Sequence, residues 1–185
     1  MPAAVEPVGI PTQHYVTISI ATRREIEFVD LTPSMSSLVE ALGIKEGILT
    51  VQTRHTTTGL MINEHEPLLL DDLKAMFERL VPAAGPYAHD DFSCRTVNLG
   101  PNERRNGHAH CRAALLRTSE SIPIVDGRLT LGRWQRVFLV EFDGGQRREI
   151  SVALVAARFF NQSALSFDVR AADERSNGRN GRPAR

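Results

Sequence analysis

The last third of the sequence constrains the fold most, because short strand-like runs follow one another there with turn residues between them. The runs are rich in β-branched and other apolar residues, and glycine stands in the gaps that separate them. Runs of this length and composition between turn residues are typical of antiparallel β-structure. The runs are SIPIV (121–125), RLTL (128–131), RVFLVEF (136–142) and REISVALV (148–155).

Two of these gaps carry dipeptides that favour tight turns. Asp126-Gly127 separates the first two runs, and Gly144-Gly145 separates the last two. Dipeptides of this type readily adopt the left-handed backbone conformations of two-residue hairpin turns. We therefore predict a hairpin at each position.

The first part of the chain alternates strand-like and helical patterns. Residues 14–20 and 24–31 predict two strands that pair through a short turn at 21–23. Thr32 is suited to cap a helix that Gly43 ends. A further strand is predicted at 47–54, with helices at 68–81 and 107–117. The sum is an α+β fold: a single domain with a mainly antiparallel or mixed β-sheet packed by a few helices.

The composition fits one globular domain with loose ends. The chain has 185 residues, of which 42% are hydrophobic, enough for one packed core. Residues 1–12 are expected to form a flexible N-terminal arm before a domain at 13–157. Residues 158–185 form a C-terminal extension, which we expect to be disordered at least from residue 173, where Gly, Asn and Arg dominate.

Charge and hydropathy disfavour several classes of partner. Lys and Arg total 22, as do Asp and Glu, so no net charge attracts nucleic acid or an anionic membrane. No apolar run approaches the roughly 18 residues of a membrane span, and the N-terminus lacks the pattern of a secretory signal. Cys94 and Cys111 form no CxxC pair, so we expect free thiols that serve packing. These features predict a cytoplasmic protein.

Five of the six histidines lie between residues 55 and 110, and carboxylates accompany most of them. Neutral imidazole and carboxylate together suit a divalent metal ion with nitrogen and oxygen ligands. The spacings match no signature such as HExxH, so the sequence indicates ligand types without fixing a site. The groups are His55, Asn63-Glu64-His65-Glu66, His89-Asp90-Asp91 and His108-Ala109-His110.

Each of these groups also has an ordinary structural explanation. Glu64 and Glu66 precede a predicted helix, where acids simply favour the positive end. The group at 89–91 follows a loop that contains Pro and Gly, and its polar side chains can simply stabilise a turn by bonding to the nearby backbone. On a helix, His108 and His110 would lie about 200° apart, so only one is expected to face a shared ion. Spacing alone leaves open which one.

A second candidate group surrounds Glu141, which lies in an apolar run between Val140 and Phe142. A carboxylate buried there needs a cation, and Arg147 or Arg148 after the Gly-Gly turn is the obvious partner. The pair can be purely structural. Alternatively, the guanidinium can offer its planar fork to phosphate oxygens.

Three stretches stand out as an ordered set: HTTTGLMINE (55–64), NGHAH (106–110) and IPIVDGRLTLGRWQRVFLVEFDGGQRRE (122–149). In this order they resemble the YjbQ-like family, whose members are called secondary thiamine-phosphate synthases. The resemblance runs through residues 14–157. This sequence differs from the family's common form in three places. The stretch 63–67 is one residue shorter, Cys111 replaces a leucine and Arg117 replaces a glycine.

The resemblance implies a small α+β fold that assembles as a homotrimer, with polar residues in a cleft near the subunit boundaries. Asp72 and Glu141 match two of the family's polar positions, and His110 matches the more characteristic histidine of NGHAH. The roles implied for the others are catalytic for Glu64, His110 and Arg148, substrate-binding for Thr56, Asn63, Asn106, Gln135 and Arg148, and binding of a divalent metal (Mg²⁺ or Zn²⁺) for His55, Glu64, His89 and His110.

The activity that the resemblance implies joins a pyrimidine diphosphate to a thiazole phosphate and releases pyrophosphate. Such a transfer needs a metal ion or cationic groups at the leaving diphosphate and a dry pocket for the developing pyrimidine cation. The word secondary implies a weak side activity. Two alternatives stay open: a hydrolase of another small phosphorylated substrate, and a non-catalytic trimer that binds a metal or a metabolite.

Overall fold

The computed structural model describes residues 12–156, which form eight strands and three α-helices, as the predicted α+β class requires. The arm at 1–11 and the extension after 156 lie outside the described residues, whereas Thr12 already belongs to the first strand. The elements are β1 (Thr12–Ala21), β2 (Glu27–Asp30), α1 (Thr32–Ala41), β3 (Gly47–Thr53), β4 (Thr58–Glu64), α2 (Pro67–Leu80), a 3₁₀ helix (Ala88–Asp90), α3 (Gly107–Ala113), β5 (Ser119–Val125), β6 (Arg128–Leu129), β7 (Gln135–Glu141) and β8 (Arg147–Ala156).

The strands form two antiparallel sheets. The larger has the order β1-β8-β3-β5-β6, and the smaller has the order β2-β7-β4. A first apolar core joins the inner face of the larger sheet to the smaller sheet and to α1. A second core lies on the other side of the smaller sheet, beneath α2 and α3. The result is a sandwich of sheet, sheet and helices.

Strand β7 contributes to both cores. Val137 and Leu139 pack between the sheets, whereas Phe138 and Val140 pack beneath the helices, and all four are fully buried. A strand buried on both faces has a continuous apolar sequence instead of an alternating one. This explains why the run at 136–142 shows no period of two.

The two predicted hairpins have different outcomes. Asp126-Gly127 joins β5 to β6, and φ angles of 51° and 77° fit a two-residue hairpin turn. Gly144-Gly145 does not form a hairpin, because there the chain passes from β7 in the smaller sheet to β8 in the larger one. The predicted pairing of strands 14–20 and 24–31 is wrong for the same reason, since β1 pairs with β8 and β2 with β7.

The largest omission of the sequence prediction is β4, which lies between the strand predicted at 47–54 and the helix predicted at 68–81, where no element was predicted. Leu60 packs in the core between the sheets, while Met61 packs beneath the helices. Thr32, predicted as a cap, is instead the first residue of α1, and its hydroxyl accepts a hydrogen bond from the Val137 amide (2.9 Å). The third helix ends at Ala113, earlier than predicted, and Arg117 instead forms an isolated bridge with β4, in which its carbonyl accepts from the Leu60 amide (2.7 Å).

The helices are short and each packs by one face. The longest, α2, has 14 residues and begins at the cap residue Glu66, whose carboxylate accepts from the amides of Leu68 (2.9 Å) and Leu69 (2.7 Å). The structural explanation of this acid is therefore confirmed. Cys94 and Cys111 are free thiols, as predicted, but both are exposed, so the predicted packing role is wrong. Within residues 12–156, no helix has the length and apolarity needed to traverse a bilayer.

The chain passes between the two sheets three times at one end of the sandwich, which we call the crossover end. The strand registers bring these passages together: Ala21 lies opposite Arg147 in the larger sheet, and Thr58 lies opposite Glu141 in the smaller one. Residues from distant parts of the sequence thus meet there. The three crossing segments are 22–26, 54–57 and 142–146.

Gly47→Ala should destabilise the domain, because β3 passes very close to β8 at this position. An added Cβ would lie 2.3 Å from the Val155 carbonyl oxygen, a backbone atom held in the pairing of β3 with β8. We expect the free energy of unfolding, measured by urea denaturation, to fall by about 1–3 kcal/mol.

Gly100→Ala is the matched control for this substitution. Gly100 lies in an exposed loop, and the nearest atom to an added Cβ belongs to the flexible Glu103 side chain (3.3 Å). We expect a change within about 0.5 kcal/mol. Equal stability of the Gly47 and Gly100 variants would contradict the close approach of the two strands.

Candidate functional site

A buried ion pair between Glu141 and Arg148 occupies the crossover end. The guanidinium donates two parallel hydrogen bonds, from Nε to Oε2 and from Nη2 to Oε1, each 2.5 Å long. The glutamate is 0% exposed and the arginine 6%. Of the two partners predicted for Glu141, Arg148 is the one used, while Arg147 is exposed. A bidentate pair of this kind compensates both buried charges.

Further hydrogen bonds connect the pair to all three crossing segments. Thr22 donates from Oγ1 to Glu141 Oε2 (2.9 Å), and the next two backbone amides after Glu141 donate to Oε1 (3.0 and 2.9 Å). Thr57 Oγ1 accepts from Arg148 Nη2 (3.0 Å). The carboxylate therefore accepts five hydrogen bonds. Arg148 is committed to this network, which favours the structural role over a phosphate-binding one.

His55 lies in the second crossing segment, beside the ion pair. Its Nε2 accepts a hydrogen bond from the Glu149 amide (2.8 Å), so the ring carries its proton on Nδ1. Burial lowers the pKa of His55, and the Arg148 charge lowers it further, while Glu141 opposes them. The ring is thus neutral, and its Nε2 is not free to bind a metal ion in this conformation.

Asp143 links the ion pair to the beginning of α3. Its Oδ2 accepts a hydrogen bond from Asn106 Nδ2 (3.1 Å) and lies 4.0 Å from Arg148 Nη2. Arg104 approaches from the solvent side, with Nε 3.8 Å from Asp143 Oδ1. The Oδ1 atom of Asn106 is buried and has no hydrogen-bond partner among residues 12–156.

Two histidines pack together beyond Asn106. The ring centroids of His89, in the 3₁₀ helix, and His110, in α3, are 4.6 Å apart. The Asp90 carboxylate accepts from the Gly107 amide (2.8 Å), which fixes the two elements relative to each other. Like Asn106 Oδ1, the buried Nε2 of His89 has no partner in the described part of the chain.

His110, and not His108, is the histidine of NGHAH that joins this group. His108 Nε2 lies 3.7 Å from Glu25 Oε1, on another side of the helix. Burial lowers the pKa of His110, and the neighbouring His89 lowers it further, while Asp143 opposes them. The geometry agrees with the expectation that one of the two histidines would be turned away. We call the residues His55, His89, Asn106, His110, Asp143 and Arg148 the histidine cluster.

Other predicted site residues lie elsewhere in the chain. Asn63, Glu64 and Gln135 are at the far end of β4 and β7, where Glu64 is paired with Gln135. Six residue steps along β4 separate Glu64 from Thr58, a distance of about 20 Å. Thr56 is exposed in the second crossing segment, close to the cluster, and Asp72 is exposed on α2.

The predicted ligands His55, Glu64, His89 and His110 are consequently not assembled within one chain. Between residues 12 and 156, no three His, Cys, Asp or Glu side chains lie close enough together to hold a metal ion. For Glu64 the physical reason is that residues 58–64 form an extended strand and not a loop, which separates Glu64 from the crossover end.

Sequence reasoning missed several residues that build the cluster. Asp143 lies two residues after Glu141, and Thr57 directly follows Thr56, both of which were candidates. The available signal was that each of the two missed residues lies beside the end of a predicted strand. Arg112, 0% exposed, had no such signal. Its Nε donates to the Val81 carbonyl (2.9 Å) and its Nη2 pairs with Glu78, so it holds α3 against the end of α2.

Acidification should weaken the fold through His55 and His110. Their folded-state pKa values lie below the ordinary 6.5, so the unfolded chain takes up protons first as the pH falls. Their contribution to stability is full above pH 6.5 and is lost from there down to the folded pKa values. Urea denaturation is expected to give a lower free energy of unfolding at about pH 5.5 than at about pH 7.5.

His110→Gln should show a smaller pH dependence than the wild type, because one of the two titrating rings is gone. Cys111→Ala, on the exposed side of the same helix, should keep the full dependence. Proton NMR gives the pKa of the His110 ring directly. A value at or above 6.5 would contradict the partly buried environment of this ring.

Known proteins resemble this chain over most of its length. The sequence model of the family described as UPF0047 protein YjbQ-like matches residues 16–157. A UPF0047 protein of Methanothermobacter thermautotrophicus is 36% identical over 137 residues, which cover 74% of this chain and 88% of that protein. A UPF0047 protein of Synechocystis is 40% identical over 131 residues, covering 70% and 82%.

Solved structures share the fold. A crystal structure from Sulfolobus solfataricus, described as a YbjQ-like protein of unknown function, matches with a TM-score of 0.70 at 30% identity. The match covers 80% of this chain and 99% of that one. A hypothetical protein from Aeropyrum pernix matches with a TM-score of 0.67 at 30% identity, covering 78% and 99%.

Proposed function

The chain belongs to the UPF0047 YjbQ-like family, and we propose that its histidine cluster is a catalytic centre that acts on a small phosphorylated substrate with a divalent metal ion. One observation carries the proposal. The rings of His89 and His110 pack against each other. The Nε2 atom of His89 and the nearby Oδ1 atom of Asn106 are buried and lack hydrogen-bond partners within residues 12–156. Buried polar atoms of this kind are rare and indicate a place where an ion, water or ligand binds.

The donor atoms fit a transition metal better than magnesium. Imidazole nitrogen suits Zn²⁺ and its neighbours, whereas Mg²⁺ prefers oxygen ligands. His89 and His110 would hold the ion, and burial lowers the pKa of His110, which favours the neutral ring that a metal ligand needs. Two side chains are fewer than a protein zinc site needs, so substrate oxygens, water or another subunit would complete the coordination.

The bound ion would supply a positive charge to the leaving phosphate group. Arg104 is the guanidinium best placed to bind substrate phosphate, because it is half exposed and only 3.8 Å from Asp143. His55 presents an Nδ1–H that is suited to donate a hydrogen bond to the substrate, because its Nε2 already accepts from the Glu149 amide. Arg148 holds the crossing segments in position and adds a fixed positive charge behind them.

Within this chemistry, we assign the thiamine-phosphate synthase reaction as a secondary activity. A pyrimidine diphosphate would join a thiazole phosphate, and pyrophosphate would leave. The buried carboxylate of Asp143 would stabilise positive charge that develops on the pyrimidine. Support comes from the ordered motifs 55–64, 106–110 and 122–149 together with the metal-suited pair. Hydrolysis of another small phosphorylated substrate uses the same groups with water as the acceptor.

A non-catalytic role as a metal- or metabolite-binding protein is the second candidate. The observation that favours it is the commitment of Arg148 to Glu141 and of His55 Nε2 to the backbone, which leaves few side chains free for turnover.

The free thiols of Cys94 and Cys111 suit a reducing compartment, in keeping with the predicted cytoplasmic location.

The outer face of the larger sheet supports the proposed homotrimer. Apart from Arg147 and Glu149 at the crossover end of β8, its outward side chains in β1, β8, β3 and β5 are uncharged, and Tyr15, Ile48 and Val155 are 81%, 51% and 41% exposed. An exposed, uncharged sheet face of this size is typical of protein interfaces. The residues are Gln13, Tyr15, Thr17, Ile48, Thr50, Gln52, Ser119, Ser121, Pro123, Ser151, Ala153 and Val155.

Assembly would also give Glu64 its predicted role. Within one chain, Glu64 lies about 20 Å along β4 from the crossover end. It can act with His89 and His110 only when it comes from a neighbouring subunit. The same holds for Asn63 and Gln135, the predicted substrate-binding residues beside it.

His89→Ala and His110→Ala should each weaken Zn²⁺ binding by at least about tenfold, because each removes a proposed ligand. Isothermal titration with ZnCl₂ measures the affinity. His65→Ala is the control, since this histidine is exposed at the other end of β4 and should leave binding unchanged. Wild-type affinity in both cluster variants would remove the metal site.

The wild-type protein should form thiamine phosphate from the two precursors in the presence of a divalent metal, and His110→Ala should not. Chromatographic quantification of thiamine phosphate measures this. No product above the His110→Ala level would refute the transferase activity. Zn²⁺ binding without turnover on this or other phosphorylated substrates would favour the non-catalytic candidate.

Ala153→Arg should break the homotrimer, because it puts a charge at the centre of the uncharged face, opposite Tyr15 and Thr50. Light scattering coupled to size-exclusion chromatography is expected to give three times the chain mass for the wild type and the chain mass for the variant. Ala75→Arg, on the exposed side of α2, is the control and should stay trimeric. A monomeric wild type would refute the assembly.

A further inference from the structure

A cavity lies at the end of the sandwich opposite the histidine cluster. It occupies about 720 Å³ between α1, the β5–β6 turn and the segment that leads into β7. This volume is within the range of small-molecule sites. Arg136 lines it at the start of β7, while Glu141 ends that strand, and five residue steps separate them by about 17 Å. No residue of the histidine cluster lines the cavity.

The cavity has an apolar floor and hydroxyl groups on one wall. Thr32 and Ser36 line the wall formed by α1. The Thr32 hydroxyl accepts from the Val137 amide (2.9 Å), so its own proton remains available to a ligand. The floor is formed by the aliphatic side chains of Val39, Ile44, Leu129 and Leu131.

Positive charge dominates the rim. Four cationic side chains line the cavity against two carboxylates, Glu40 and Asp126. Within residues 12–156, only one of the four cations has a carboxylate within 4.0 Å, namely Arg136 with Asp30. The four are Lys45, Arg128, Arg133 and Arg136.

The β5–β6 turn holds Lys45 at this rim. Gly127 has a φ of 77°, and its amide donates to the Lys45 carbonyl (2.9 Å). A Cβ at Gly127 would lie 3.4 Å from Lys45 Nζ, so the ammonium group rests directly against the turn. Glu46 Oε1 accepts from the Asp126 amide (3.0 Å) and fixes the turn from below. The turn therefore fixes the backbone of Lys45 at the rim, and the exposed ammonium group lies against the turn.

We propose that this cavity binds a small organic phosphate with an apolar ring. Guanidinium groups and an ammonium group around the rim suit phosphate oxygens, which accept several hydrogen bonds from such donors. The aliphatic floor suits the apolar body of the same molecule. An inorganic anion would leave the floor unused, and a neutral apolar molecule would leave the cations unused.

Isothermal titration with phenyl phosphate tests the proposal. Inorganic phosphate and phenol, called half-probes because each carries only the phosphate or only the ring, are titrated for comparison. The wild type is expected to bind phenyl phosphate at least about tenfold more tightly than either half-probe. Lys45→Gln/Arg133→Gln should weaken that binding at least about tenfold. Arg128→Gln provides a second variant with a single exposed change, expected to weaken binding in the same direction.

Lys74→Gln/Arg117→Gln is the matched control, because it removes the same charge from surface ion pairs outside the cavity. It should keep wild-type affinity, as should His110→Ala, since the histidine cluster is separate. Equal losses in the control and cavity variants would overturn the proposal. So would equal affinity for inorganic and phenyl phosphate, or loss of binding in His110→Ala, which would place the probe at the histidine cluster.

Discussion

The ion pair of Glu141 and Arg148 is the interaction on which the architecture depends most. Glu141 is the last residue of β7 in the smaller sheet, and Arg148 is the second residue of β8 in the larger one. Together with Thr22 and Thr57, they join all three segments that cross between the layers. Removing one partner of such a buried pair leaves an uncompensated charge and costs about 3–5 kcal/mol. His55 and Asp143, two members of the histidine cluster, lie beside this pair, so their positions depend on it.

The sequence predicted the kinds of elements better than their partners. Strand and helix patterns are local, which is why most elements lie within a few residues of their predicted bounds. Pairing is not local: Gly144-Gly145 permits a sharp change of direction but does not determine whether the next strand stays in the same sheet. β4 was missed because its polar ends at Thr58 and Glu64 interrupt an apolar run that is only four residues long.

The candidate site was predictable in part for the same reason. Helical geometry alone indicated that His108 and His110 would separate, and the apolar surroundings of Glu141 indicated a buried cation. The local sequence pattern could not indicate that His89 contacts His110. That contact depends on the 3₁₀ helix lying against the start of α3, where Asp90 accepts from the Gly107 amide. Nor could it indicate that Glu64 would lie a strand's length away, since that required knowing that residues 58–64 are extended.

The double burial of β7 has a consequence for how the domain comes apart. Val137 and Leu139 belong to one core and Phe138 and Val140 to the other, so neither core survives the loss of this strand. No sublayer of the sandwich is left that could persist as a partly folded intermediate. The domain is therefore built to melt in a single cooperative transition, in which the crossover end and the opposite cavity disappear together.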